Sequence, residues 1–230
     1  MKQSNLDEVI LELKSLATAE HLAKLAHFGI DNSRALGIKI PLLRQLAKKI
    51  GVNHELASEL WATEIHEARI LASMIENPKT MTEKQFDSWV NDFNSWDICD
   101  VCADLLAKTP FVFQKIDEYS THSKEFVKRT AFTLMCELAF HDKKMTSEMY
   151  FPFFEIIERE AWDERNFVRK AVNWALRQMG KRNETLRLKA IETAERILNQ
   201  GSKSARWIAN DAIRELNDQK VIARVAKKSI

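Results

Sequence analysis

The strongest constraint on how this chain can fold is that it repeats itself. The segment EFVKRTAFTLM (125–135) overlays NFVRKAVNWAL (166–176) at an offset of 41 residues, and KSARWIANDAI (203–213) overlays the second copy at an offset of 37. A looser copy, EARILASMI, lies at 67–75. A spacing of about 40 residues, with room for a second helix between copies, is the period of HEAT or armadillo-type repeats. Each such unit leaves an apolar face for its neighbour to cover, so a curved solenoid of stacked helices with one concave surface is expected. An irregular helical bundle with chance similarities is the competing reading.

Local patterns agree with helix along the chain. In NLDEVILELKSLA, the residues Leu6, Val9, Ile10, Leu13 and Leu16 recur at helical spacing behind a capping Asn5. GIKIPLLRQLAKKIG places Pro41 in a first turn and stops at Gly51. TEKQFDSWVNDF opens with Thr82 and Gln85 in capping-box register. No alternating pattern of useful length competes. With only 5 Gly and 4 Pro in 230 residues, turn-rich strand architectures are disfavoured. The expectation is an all-α chain of ten to twelve helices in one continuous domain, 1–230, with no Gly/Ser-rich linker.

Apolar residues at 45% and charged residues at 30% fit a soluble globular protein. No apolar run reaches the roughly 18 residues of a membrane span. The start, MKQSNLDEVILELKS, is amphipathic with charges spread through it and unlike a cleavable signal, so a cytoplasmic location is expected. Three cysteines outside a secretory context argue against a disulfide framework. Cys99 and Cys102 form a C-x-x-C, yet no second ligand pair at zinc-site spacing accompanies them and no strand precedes them. Small buried thiols compete with a metal or redox role there.

The net charge of +2 hides an asymmetry. Residues 1–120 carry 13 Lys/Arg against 18 Asp/Glu, whereas residues 121–230 carry 22 against 15. Between Arg165 and Arg206 there are 11 basic residues and 3 acids. Such a stripe suits a polyanion partner, although charge runs are also ordinary solvated helix faces.

Differences between the copies are informative. Thr133 aligns with Trp174 and then Asp211, and Arg129 aligns with Lys170 and then Trp207, while Val127/Val168 and Met135/Leu176 keep a core character. The variable positions mark a row where a solenoid would display its binding chemistry. Elsewhere, Trp96 and Asp100 in NSWDICD are four residues apart and share one helix face. Spacing alone leaves open whether Trp96 is a packed tryptophan or a wall for a ligand. Asp97 reads as a first-turn acid favoured by the helix dipole behind a Ser95 or Asn94 cap. Trp61, Trp89, Trp162 and Trp207 read as packing residues, and none of the six histidines shows a catalytic partner pattern.

Taken together, SWDICD, FVKRTAF and RKAVNWALRQMG resemble the alkylpurine DNA glycosylases built from HEAT-like repeats, the AlkD type. The N-terminal stretches GIKIPLLRQLAK (37–48) and ELWATEIHEARILA (59–72) share the likeness, which spans most of the chain. The resemblance implies that Trp96, Asp100, Arg129 and Trp174 line a lesion-binding cleft on double-stranded DNA, with no metal or cofactor and no obligate protein partner. It also implies that the scissile nucleotide is attacked from the backbone side without base flipping. Arg177 and Lys170, which share the Trp174 face by spacing, are the leading phosphate contacts, followed by Arg169, Lys181, Arg182 and Arg206. Lys39 joins them, although some members carry an uncharged polar residue there.

The chemistry fits the residue types. An N3- or N7-alkylated purine is already cationic and leaves readily, so catalysis consists of stabilising positive charge on the deoxyribose. Asp100 would supply a carboxylate for that charge and for a water. Trp96 and Trp174 would hold the sugar and attract the developing cation through their ring faces. Arg129 would bind a flanking phosphate or keep Asp100 ionised. Two other readings stand beside this one: a non-catalytic binder of damaged or branched DNA, since the family contains paralogues without glycosylase activity, and a protein-binding helical scaffold.

Overall fold

The computed structural model describes residues 5–227, and these contain fourteen α-helices, one 3₁₀ turn and no strand. They divide into two compact units, Met1–Phe111 and Val112–Ile230.

The first unit holds α1 (Leu6–Leu16), α2 (Ala19–His27), α3 (Ile40–Ile50), α4 (His54–Ala62), α5 (His66–Ile75), α6 (Glu83–Asn91) and α7 (Trp96–Leu106). Asn5 caps α1 by accepting from the Glu8 amide, and Thr82 caps α6 by accepting from the Gln85 amide. The reciprocal half of the capping box is not made, because the Gln85 amide nitrogen donates to Glu76 at 2.8 Å instead. Helices α3, α5 and α7 pack side by side, and α4 packs on α5. Trp61 of α4 stacks on Trp89 of α6 with ring centres 4.1 Å apart and planes 3° apart, so both are packing residues as expected.

The second unit holds α8 (Val112–Ser120), α9 (Glu125–His141), the 3₁₀ turn Glu148–Tyr150, α10 (Phe151–Glu160), α11 (Asn166–Gly180), α12 (Glu184–Leu198), α13 (Lys203–Leu216) and α14 (Gln219–Ala226). Its helices form two rows, α9–α11–α13 and α8–α10–α12–α14. The three copies seen in the sequence are therefore the first row, each copy lying beside the next. Helices α2, α8 and α14, of eight or nine residues each, exceed the expected number. Two turns leave too few apolar residues for periodicity to register.

Neighbouring repeats are joined by polar contacts at fixed separations. In the first unit the Glu67 carboxylate accepts from the backbone amides of Leu36 and Gly37, each at 2.7 Å, and of Ile38 at 3.1 Å. Gly37 is required there, since its φ of +77° is left-handed and a Cβ would sit 2.4 Å from the Thr18 carbonyl oxygen. A second tie links α5 to α7: His66 Nε2 lies 2.8 Å from Asp97 Oδ2. The other Asp97 oxygen accepts from Ser95 Oγ at 2.6 Å and from the Ile98 amide at 3.0 Å. Burial opposes ionisation of both groups. The hydrogen bond and opposite charge outweigh it, so the His66 pKa is raised and that of Asp97 lowered.

Two outcomes follow. Glu67→Ala strands three backbone amides at a cost of roughly 1–3 kcal/mol each when buried, so urea unfolding should show a loss of about 3 kcal/mol or more, and a loss below about 1 kcal/mol would contradict this role. For the ion pair, folded His66 holds its proton more tightly than the unfolded chain does. Its contribution is full below the ordinary value of 6.5 and fades as pH rises through the folded value. Asp97 works the other way, contributing above 3.8 and losing that contribution as pH falls through its folded value. The His66→Gln penalty should therefore be larger at about pH 5.5 than at about pH 8.5 in paired denaturation curves; equal penalties would rule out a charged pair.

Candidate active site

Helix α7 begins with Trp96 and places Asp100 one turn later on the same flank, both half-buried. The indole Nε1–H of Trp96 donates to the Phe28 carbonyl, at the end of α2, at 3.0 Å. With its single donor occupied, the ring is fixed by its polar edge and can offer only its faces to anything else. Ser95 caps the helix without the usual side-chain bond, because its hydroxyl serves Asp97. Asp97 is the first-turn acid expected, and it also partners His66, so that through this pair α5 fixes the first turn of α7. The sequence reading missed this histidine. Its signal was the separation of 31 residues, shared with the Trp61–Asp92 and Leu36–Glu67 contacts in the same unit.

The C-x-x-C inside this helix is packed into the core. Cys99, Cys102 and Cys136 are all fully buried, and burial pushes the Cys102 thiol up to about 12. Such a group stays a protonated thiol at neutral pH, whereas metal binding and redox exchange need the thiolate.

In the second unit, Trp174 stands on the flank of α11 that also carries Phe167, Lys170, Arg177 and Gln178. In the amide orientation that satisfies its surroundings, Gln178 Oε1 accepts from Trp174 Nε1 and from Lys181 Nζ, each at 3.1 Å. The ring of Phe140, half exposed on α9, lies 6.3 Å from that of Trp174. Phe140 was not singled out from sequence; it falls in the last turn of a helix whose other apolar residues pack inward. Arg129 was expected on the displayed row, but it is only 5% exposed. Its Nη1 donates to the Phe167 carbonyl at 2.7 Å, one repeat along, which makes it a support for the start of α11 rather than an open phosphate clamp.

The basic residues divide sharply. Lys39, Lys170 and Arg206 are exposed, as a phosphate contact requires. Arg169 is half-buried, with its guanidinium over the Trp207 ring at 5.2 Å. Arg177, Lys181 and Arg182 do not fit the expectation, because carboxylates or backbone carbonyls already engage them. Arg177 pairs with Glu215 and, at 3.4 Å, with Asp211. Lys181 meets Glu215 at 2.6 Å. Arg182 stacks on Tyr150 and donates to the carbonyls of Ala139, Asp142 and Met145. Counting acids only between residues 165 and 206 missed these partners, which lie on the neighbouring repeat. Trp162 and Trp207 were also misread: they are 56% and 39% exposed and are not packing residues.

The comparisons with known proteins bear on this arrangement. No curated protein matches the chain. One solved structure it resembles is described as "a new family of proteins related to the HEAT-like repeat DNA glycosylases with affinity for branched DNA structures". The two share 21% identity with a TM-score of 0.78, covering 92% of this chain and 95% of the other, so the HEAT-like repeat fold is common to both. The sequence pattern of the family described as DNA alkylation repair enzyme matches residues 9–216, and the chain therefore belongs to that family.

Proposed function

We propose that this chain is a monofunctional DNA glycosylase that hydrolyses the N-glycosidic bond of cationic N3- or N7-alkylated purines in duplex DNA. The observation that carries the reading is the first turn of α7: a tryptophan whose polar edge is tied off to Phe28 leaves a ring face for a sugar, and a carboxylate follows one turn along. Membership of the DNA alkylation repair family supports alkylated DNA as the class of substrate. The C1′–N bond breaks with its electron pair leaving on the alkylated base, which departs neutral. Asp100 stabilises the positive charge that builds on the deoxyribose and orients a water, whose oxygen bonds to C1′ and whose proton passes to the carboxylate or to solvent. The face of Trp96 attracts the same cation, and Trp174 offers a like ring face in the second unit. Arg129 acts as a positioning residue, holding the start of α11 and so the Trp174 flank. Since the recognised features are sugar and charge, the base need not leave the helical stack, and Lys39, Lys170, Arg169 and Arg206 serve the backbone.

Removal of preorganised charge stabilisation from a transition state costs about 10²–10³ in rate. Asp100→Asn is therefore expected to slow single-turnover release of 7-methylguanine from methylated duplex by about 100-fold while leaving duplex affinity within about twofold. Undiminished release would remove Asp100 from the mechanism. A second expectation concerns the two tryptophan-bearing units. If Asp100 and Trp174 act on one transition state, the double variant Asp100→Asn/Trp174→Ala should lose less than the product of the single losses. Strict multiplication would separate their roles.

A second reading is favoured by one observation, the branched-DNA affinity ascribed to the structural relative. On that reading the chain binds damaged or branched DNA without catalysis. Salt-sensitive binding with no free base released from methylated DNA would select it.

A further inference from the structure

Helix α13 carries an exposed stripe that the proposed chemistry does not use. Lys203, Trp207, Asn210 and Arg214 follow one another at four, three and four residues, so they share one face, and all four are exposed. At 1.5 Å per residue the stripe runs about 16 Å, with Trp207 about 6 Å from one terminal cation and 10 Å from the other. Trp207, Asn210 and Arg214 line a shallow concavity of about 510 Å³ together with Arg206 and Asp211. Its one carboxylate is already neutralised: Asp211 accepts from Asn173 at 2.8 Å and pairs with Arg177 at 3.4 Å and with Arg214. One face of the indole takes the Arg169 guanidinium, whose Nε is buried without a hydrogen-bond partner. A large aromatic ring 39% exposed to water, one turn from the exposed Lys203, matches neither a packing residue nor a duplex contact. Duplex bases are stacked and cannot reach it, whereas an unpaired base can, and the phosphate beside it would fall near Lys203, about 6 Å along the helix.

We infer that the α13 face binds an unpaired DNA base, stacked on Trp207, where a single-stranded segment leaves a duplex. The inference rests on the reading that the chain binds DNA. Asn210 lies one turn from the ring and offers an amide to the base edge. Arg169 holds the indole from behind, as cation and plane together.

Binding measured by fluorescence anisotropy on the full chain tests this with three probes of equal length: a blunt duplex, a duplex bearing a single-stranded overhang, and oligo(dT). The native protein should bind the overhang DNA at least fivefold more tightly than the blunt duplex. Trp207→Ala should abolish that preference with blunt-duplex affinity changed by less than twofold, and Trp207→Phe should restore most of it. Lys203→Gln should flatten the salt dependence on overhang DNA. A native protein indifferent to the overhang, or a Trp207→Ala variant that keeps the preference or loses both substrates alike, would overturn the inference while leaving duplex binding intact. Absence of binding to every probe would instead overturn the DNA-binding reading beneath it.

Discussion

Several helices in this chain bury polar groups that the adjacent repeat satisfies, and the register of the stacking depends on that requirement. Lys128 is the clearest instance. Its ammonium group is buried in α9, where it meets Glu160 at 2.6 Å at the end of α10 and Asp163 at 2.9 Å in the turn before α11. Arg165 closes the cluster on Asp163, whose carboxyl is held at about 2 by its cationic neighbours in spite of burial. An unpaired buried charge would cost several kcal/mol, so three helices must arrive together or none is satisfied. Asn173 to Asp211 and Arg196 to Glu158 repeat the device one unit along, at separations of 38 residues. Apolar burial drives the stacking, and these contacts fix its register.

The same requirement decided how much could be read from the sequence. Because α9, α11 and α13 meet equivalent surroundings, their residues recur, and the copies beginning at 125, 166 and 203 anticipated the starts of all three helices. Trp61 and Trp89 were correctly assigned to packing, since their stacked rings lie between α4 and α6 with helix periodicity on both sides. Contacts across a repeat were beyond reach without knowing its period. His66 showed no partner and Asp97 read only as a first-turn acid, whereas a 31-residue separation brings them together, and Arg177 read as a phosphate ligand, whereas Glu215 reaches it from the next helix. Trp162 and Trp207 failed for a different reason. Composition says that tryptophans are mostly buried, and only the outward register of the helix or turn that carries each one reverses that expectation.

Both candidate tryptophans are held in the same manner. Trp96 gives its N–H to a backbone carbonyl and Trp174 gives its N–H to Gln178, so each ring is fixed by its polar edge with its orientation set during folding. Arg129, buried beneath the start of α11, extends the pattern to a charged group. The entropy of ordering these groups is spent before any ligand arrives, which is the condition for electrostatic stabilisation that needs no rearrangement.

The pairing of cations with carboxylates also bears on how the molecule would behave on a polyanion. Of the eleven basic residues between 165 and 206, six already meet a carboxylate: Arg165, Arg177, Lys181, Arg187, Lys189 and Arg196. A cation so engaged displaces no condensed counterion from a nucleic acid, so the entropy gained on association scales with the remaining few. On a polyanion such a stripe would act as a loose electrostatic guide, giving brief encounters and rapid release.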